Sequence, residues 1–164
     1  METKHDYGCA MLYFDFDGMQ SFHDILEIGD IYAKDGHGIE TQPHVTLLYG
    51  FHNEVNPTDV LNLVQSYTFS HVKIHNVSLF ENEEYDVLKF DAESEVLHNV
   101  NVELRKLPHT NLYSTYHPHM TIAYLKPGTG KKYLDKLNWV KVMITPKSIV
   151  YSKPTGEKIK LDIW

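Results

Sequence analysis

The feature that most constrains this chain is a seven-residue pattern that occurs twice. Pro43-His44-Val45-Thr46-Leu47-Leu48-Tyr49 and Pro118-His119-Met120-Thr121-Ile122-Ala123-Tyr124 share the order Pro-His-apolar-Thr-apolar-apolar-Tyr. Both runs are rich in strand formers, and a strand tolerates proline at its first residue. Side chains two apart on a strand share a face. His44, Thr46 and Leu48 are therefore expected on one face, and Val45, Leu47 and Tyr49 on the other. The same parity sets His119, Thr121 and Ala123 against Met120, Ile122 and Tyr124. The apolar set suits a covered back face, so Tyr49 and Tyr124 are expected in the core. The His/Thr set is costly to bury without partners. Two such sets across a pseudo-twofold axis would line a cleft with two imidazoles and two hydroxyls.

That inventory suits a phosphodiester. An imidazole has an ordinary pKa of roughly 6.5, so it takes or gives a proton near neutral pH. One histidine can accept the proton of an attacking hydroxyl while the other protonates the leaving oxygen. Thr46 and Thr121 can donate to the non-bridging oxygens, where charge gathers. The side chains handle protons and charge alone, so no metal or other cofactor is expected.

The intervening sequence reads as alternating strands and helices. Strands are expected over Cys9–Phe16, Pro43–Gly50, Phe69–Leu79, Tyr85–Phe90 and Pro118–Leu125. Three more fall near Val140–Ile144, Ser148–Tyr151 and Ile159–Trp164. Helices are expected over Gln20–Ile28, from Pro57 to about Tyr67, from Ser94 to the stop at Pro108, and over Lys131–Leu137. Gly29 to Gln42 reads as a loop, long enough to suggest function. With no low-complexity segment or linker, residues 1–164 read as a single domain of α+β class with two pseudo-symmetric halves.

Charge narrows the partners. Residues 1–125 carry a net −13 and residues 126–164 a net +6, with nine lysines in that last segment. Tracking a long nucleic acid needs an extended basic surface, so no long nucleic acid is expected. The basic segment could hold a small anion, or simply form a solvated face. No run approaches the ~20 apolar residues of a membrane span. The lone Cys9 cannot form an internal disulfide, which points to a reducing, cytoplasmic home. It reads as a small buried side chain.

The runs HVTLLYGF at 44–51 and HPHMTIAYL at 117–125 resemble the 2H phosphoesterases, which include RNA 2′,3′-cyclic phosphodiesterases and 2′-5′ RNA ligase-like proteins. The resemblance implies a bilobal α+β fold, with two pseudo-symmetric antiparallel-sheet lobes, flanking helices and a central cleft. It implies that His44 and His119 are the acid/base pair and that Thr46 and Thr121 hold the phosphate. The run GHGIETQPHVTLLYG at 36–50 and the ending KIKLDIW further resemble phage anti-CBASS nucleases. Those enzymes cleave 3′-5′ bonds of cyclic oligonucleotide signals. That narrower resemblance implies a cyclic di- or trinucleotide substrate in a host bacterial cytoplasm, with Tyr13, Glu157 and Trp164 contacting bases, and a monomer or weak oligomer. RNA-end processing and a non-catalytic nucleotide-binding module are the alternatives.

Lesser features read as structural. His117 beside His119 makes zinc conceivable, but no ligand set with recognisable spacing accompanies it. Gly128-Thr129-Gly130-Lys131-Lys132 lacks the full phosphate-loop spacing and reads as a turn. Tyr116 is a further aromatic able to stack on a base.

Overall fold

The computed structural model describes residues 5–35, 37–138 and 140–163. Its elements in chain order are β1 (Gly8–Phe14), α1 (Met19–His23), β2 (His44–Phe51), α2 (Pro57–Gln65), β3 (Val72–Glu81), β4 (Asp86–Glu93), α3 (Glu95–Leu104), β5 (His119–Leu125), α4 (Lys131–Leu137), β6 (Lys141–Ile144), β7 (Pro146–Ser152) and β8 (Lys158–Asp162). The expected helix over Gln20–Ile28 closes after His23, with a separate 3-10 turn at Ile28–Asp30. Among the described residues no helix is long and apolar enough to cross a membrane.

The strands form one antiparallel sheet in the order β6-β3-β4-β5-β2-β1-β7-β8. The expected α+β class holds, and the two halves share a single sheet. Four strands lie on each side of the β5/β2 junction, so the motif strands occupy the centre. That junction is a single crossing, with Val45 opposite Met120. Both side chains are fully buried on the face covered by helices.

On either side of the crossing the motif strands part, and each vacated edge is taken by the segment leading to the other motif. Along β5, the Tyr32 N–H donates to the Tyr124 carbonyl at 2.9 Å, the Tyr124 N–H to Gly38 at 2.8 Å and the Glu40 N–H to Ile122 at 3.0 Å. Along β2, the Thr110 N–H donates to the Gly50 carbonyl at 2.8 Å and the Asn111 side-chain amide to Tyr49 at 3.1 Å. Buried backbone groups need partners, which explains the length of the 29–42 connection: part of it serves as sheet edge. Gly50 permits the close approach. Its φ is +124°, and a Cβ there would lie 2.0 Å from the Thr110 carbonyl oxygen.

Each motif strand also carries a β-bulge at the same place. Ala10 pairs with Leu48 and Met11 with Thr46, which leaves Leu47 as the extra residue. Leu88 pairs with Ala123 and Lys89 with Thr121, which leaves Ile122. A helix-borne side chain meets each bulge carbonyl. The Asn101 Nδ2 on α3 donates to Leu47 at 2.7 Å, and the His23 Nε2 on α1 lies 2.9 Å from the Ile122 oxygen. A bulge reverses side-chain parity beyond it. Leu48 therefore enters the core and Tyr49 leaves it.

Asn101 is 3% exposed. Replacing it with leucine should lower stability by about 1–3 kcal/mol, because the Leu47 carbonyl would lose its buried donor. The exposed neighbour Val102, changed to alanine, should shift stability by no more than ~0.5 kcal/mol. Urea unfolding of the two variants checks this, and equal effects would deny the bulge contact its role.

Candidate active site

Because Val45 and Met120 point into the core, their neighbours point to the opposite face. His44 and Thr46 on β2 and His119 and Thr121 on β5 thus share one open face around the crossing. The antiparallel register sets Thr121 across from His44 and His119 across from Thr46. The two imidazoles stand on the diagonal, a backbone spacing on the order of 7–8 Å. Thr121 is buried to 9% exposure, while the other three are half-buried.

Both imidazoles are held in the same way. The His44 Nδ1 lies 2.8 Å from the Gln42 carbonyl, and the His119 Nδ1 lies 2.9 Å from the His117 carbonyl. A carbonyl only accepts, so each Nδ1 carries the hydrogen and each Nε2 is left for the face. The turn two residues upstream of each histidine, set by Pro43 or Pro118, makes this tether local.

The surroundings of the two histidines differ. His44 packs beside Tyr13, with ring centroids 5.5 Å apart. His119 meets the edge of Phe80 at 5.1 Å. In register, His119 lies opposite Asp91 and Thr121 opposite Lys89, whereas Tyr13 and Met11 hold the matching positions beside His44 and Thr46. Lys89 is 6% exposed. Its Nζ donates to Ser78 Oγ at 2.6 Å and Asp91 Oδ1 at 3.2 Å, and sits 4.4 Å from the Phe80 ring centre.

These surroundings hold the His119 pKa below its ordinary value. Burial is the main cause, since it disfavours the imidazolium. The hydrogen bond to His117 opposes the shift, Lys89 and His44 add to it, and Asp91 partly offsets them. For Asp91 burial works against the carboxylate, but the Asn76 amide and Lys89 outweigh it and keep its pKa below the usual range.

A cavity of about 270 Å³ opens beside His44, lined by Tyr7, Cys9, Tyr13, Tyr49 and Lys158 among others. Lys158 Nζ donates to the Tyr13 hydroxyl at 3.2 Å. Burial pushes the Cys9 thiol up to about 12, which leaves it a weakly polar wall rather than a nucleophile.

The expectation that Tyr49 and Tyr124 lie in the core is wrong. Tyr49 is 40% exposed and Tyr124 half-buried, both turned out by the bulges. Tyr49 meets Tyr7 at 5.9 Å between ring centres, and Tyr124 meets His37 at 4.5 Å and Tyr85 at 5.3 Å. Tyr13 lies beside His44, but Glu157 sits in the exposed β7/β8 turn, paired with Lys153 at 3.2 Å. Trp164 lies outside the described residues. Tyr116 is a strut: its hydroxyl donates to the Thr46 carbonyl at 2.7 Å. Among the described residues no group of three or more His, Cys, Asp or Glu side chains could hold a metal ion. Lys89 and Lys158 are cleft residues that the sequence did not reveal, because a lone lysine in a strand carries no motif.

A family model described as the 2′-5′ RNA ligase superfamily matches residues 32–145. Among solved structures, one of Usb1 from Kluyveromyces marxianus with uridine monophosphate superimposes with a TM-score of 0.55. It is 13% identical over 96% of this chain and 98% of that one. A crystal structure of a phosphoesterase gives a TM-score of 0.52 at 11% identity, with 94% of each chain covered. No curated protein matches the sequence.

The His119 imidazole should titrate with a midpoint below 6.5, followed by NMR. Lys89→Met should move that midpoint upward. The folded state favours neutral His119, so its contribution to stability is full above the ordinary pKa and is lost as pH falls through the depressed one. A midpoint at or above 6.5 would contradict this account.

Proposed function

This chain belongs to the 2′-5′ RNA ligase superfamily, and from that premise we propose that it is a metal-independent phosphodiesterase acting on 3′-5′ ribonucleotide linkages. One observation carries the reading. Two histidines, each tethered through Nδ1 to a backbone carbonyl, present Nε2 on one face beside two threonines. That is a proton acceptor, a proton donor and two hydroxyl donors on one face.

The roles we give the two histidines rest on the difference between the halves. His119, whose imidazolium is disfavoured by burial and Lys89, is the base. His44 is the acid. The His119 Nε2 takes the proton of a ribose 2′-OH, and O2′ attacks phosphorus. The P–O5′ bond breaks, and His44 gives its Nε2 proton to the departing O5′. The products are a 2′,3′-cyclic phosphate and a free 5′-OH. Thr46 and Thr121 donate to the non-bridging oxygens throughout. The 2′-OH is already positioned beside its own phosphate, which removes most of the entropic cost of attack.

Within this chemistry we assign a compact substrate, a cyclic di- or trinucleotide, cleaved as part of phage counter-defence against cyclic-oligonucleotide signalling. Its supports are the small cavity, the aromatic side chains around it and the acidic character of residues 1–125. The second reading is RNA-end processing, favoured by the likeness to Usb1 bound to uridine monophosphate.

Cyclic dinucleotides, cyclic trinucleotides, linear RNA and 2′,3′-cyclic nucleotides should be incubated with the protein in EDTA, with products read by mass spectrometry. Cleavage of a cyclic substrate to a 2′,3′-cyclic phosphate is expected, and it should vanish when the scissile 2′-OH is replaced by hydrogen. Turnover of linear RNA alone would select the second reading. His44→Ala and His119→Ala should each lower the rate at least ~100-fold while remaining folded. Rescue of a chelated, inactive protein by a divalent ion would overturn the metal-independent mechanism.

A further inference from the structure

A second cavity, of about 260 Å³, adjoins the one beside His44. Tyr13 and Gln42 line both. Ser148 marks the second cavity as more than a surface dimple. It stands opposite Tyr13 in the β1/β7 register and so shares the face that carries the histidines. It is 1% exposed, yet its Oγ has no hydrogen-bond partner among the described residues. A buried hydroxyl without a partner costs free energy, and Ser148 is among the residues that line the cavity. The chain also has a bulge here. Tyr13 pairs with Ser148 and Phe14 with Pro146, which leaves Lys147 as the extra residue. Bulges often re-aim side chains next to sites.

The walls state what would fit. Lys147 is paired with Asp15 at 3.8 Å, and Lys160 with Asp162 at 3.6 Å. With the cations partly neutralised, the cavity is not built for a phosphate. Its lining also includes the aromatic residues Tyr13, Phe14 and Phe16, together with Gln42 and Ser148. Aromatic walls with a few hydrogen-bonding groups that can both donate and accept suit a planar heterocycle.

We propose that this cavity is a nucleobase subsite that receives the base of the leaving nucleoside, with Ser148 hydrogen-bonding to its edge. The inference rests on the phosphodiesterase reading, in which O5′ departs toward His44. Gln42 connects the two events, since its carbonyl holds the His44 Nδ1. A base seated against the Gln42 side chain therefore packs on the same residue that orients the acid.

Two measurements test this. In the first, dinucleoside monophosphates with each of the four leaving-side bases are compared with one whose leaving nucleoside is abasic. Wild-type protein should prefer a base-bearing substrate by at least ~10-fold in kcat/KM. Ser148→Ala should reduce discrimination among the bases, and Ser148→Val should bring the base-bearing substrates down toward the abasic rate. Both variants should leave the abasic rate unchanged. Equal rates on based and abasic substrates, or variant losses that fall equally on both, would overturn the subsite. In the second measurement, adenosine, guanosine, cytidine and uridine are titrated into the protein and followed by NMR. At least one should perturb Phe16, Thr41 and Ser148, and Ser148→Val should abolish the perturbation. Absence of any perturbation would overturn the subsite whether or not the protein cleaves diesters. Binding without cleavage of any diester would leave the subsite standing and remove the phosphodiesterase reading.

Discussion

The single crossing of β2 over β5 at Val45 and Met120 is the constraint on which the rest of this structure depends. A full ladder between the motif strands would align them along their length and bury their carbonyls in ordinary pairing. One bridge lets them part in both directions, so two edges are left to satisfy. Segments 31–40 and 109–111 satisfy them, each arriving from just before the other motif. The crossing also decides which side chains face out. With Val45 and Met120 fixed in the core, His44, Thr46, His119 and Thr121 have only the opposite face. Packing on one side of the sheet thus imposes polarity on the other.

A symmetric frame poses a chemical problem. In the proposed chemistry the two histidines take unlike roles, so what distinguishes their surroundings matters. The repeated features here are the ones that orient: the proline, the Nδ1 tether and the bulge. The unlike features sit one strand away, at positions equivalent in register. Lys89 and Asp91 stand where Met11 and Tyr13 stand in the other half. Burial and the lysine both disfavour charge on His119, and Asp91 moderates that effect without reversing it. The ordering by magnitude matters, because a carboxylate alone beside His119 would have stabilised the imidazolium instead.

Much of this was legible in the sequence, because the repeat carries its own parity. The pattern placed His44 with Thr46 and His119 with Thr121, and the start of α2 at Pro57 followed from an equally local signal. Reading failed where parity did. Nothing in Leu47 or Ile122 marks a bulge, since the cause lies in distant partners, Asn101 and His23, that claim the displaced carbonyls. Tyr49 and Tyr124 were misplaced for that reason alone. The connection before β2 read as a loop because its hydrogen bonds are made to a strand some 80 residues later, beyond the reach of local pattern. Lys89 was invisible for a related reason. A buried lysine is recognisable only once Ser78, Asp91 and Phe80 are seen around it.

The acidic composition would argue against any anionic substrate if net charge governed binding. It does not govern at this range. At physiological ionic strength exposed charges are screened beyond about 8 Å, so a phosphate at the crossing responds to its neighbours rather than to the total. Those neighbours include Lys89 on one half and Lys158 on the other, the second reaching the Tyr13 hydroxyl beside His44. Lys89 shares its charge with Asp91 at 3.2 Å, as Lys147, Lys153 and Lys160 do with Asp15, Glu157 and Asp162. A long polyanion would also meet the acidic side chains of residues 1–125, which outnumber the basic ones there.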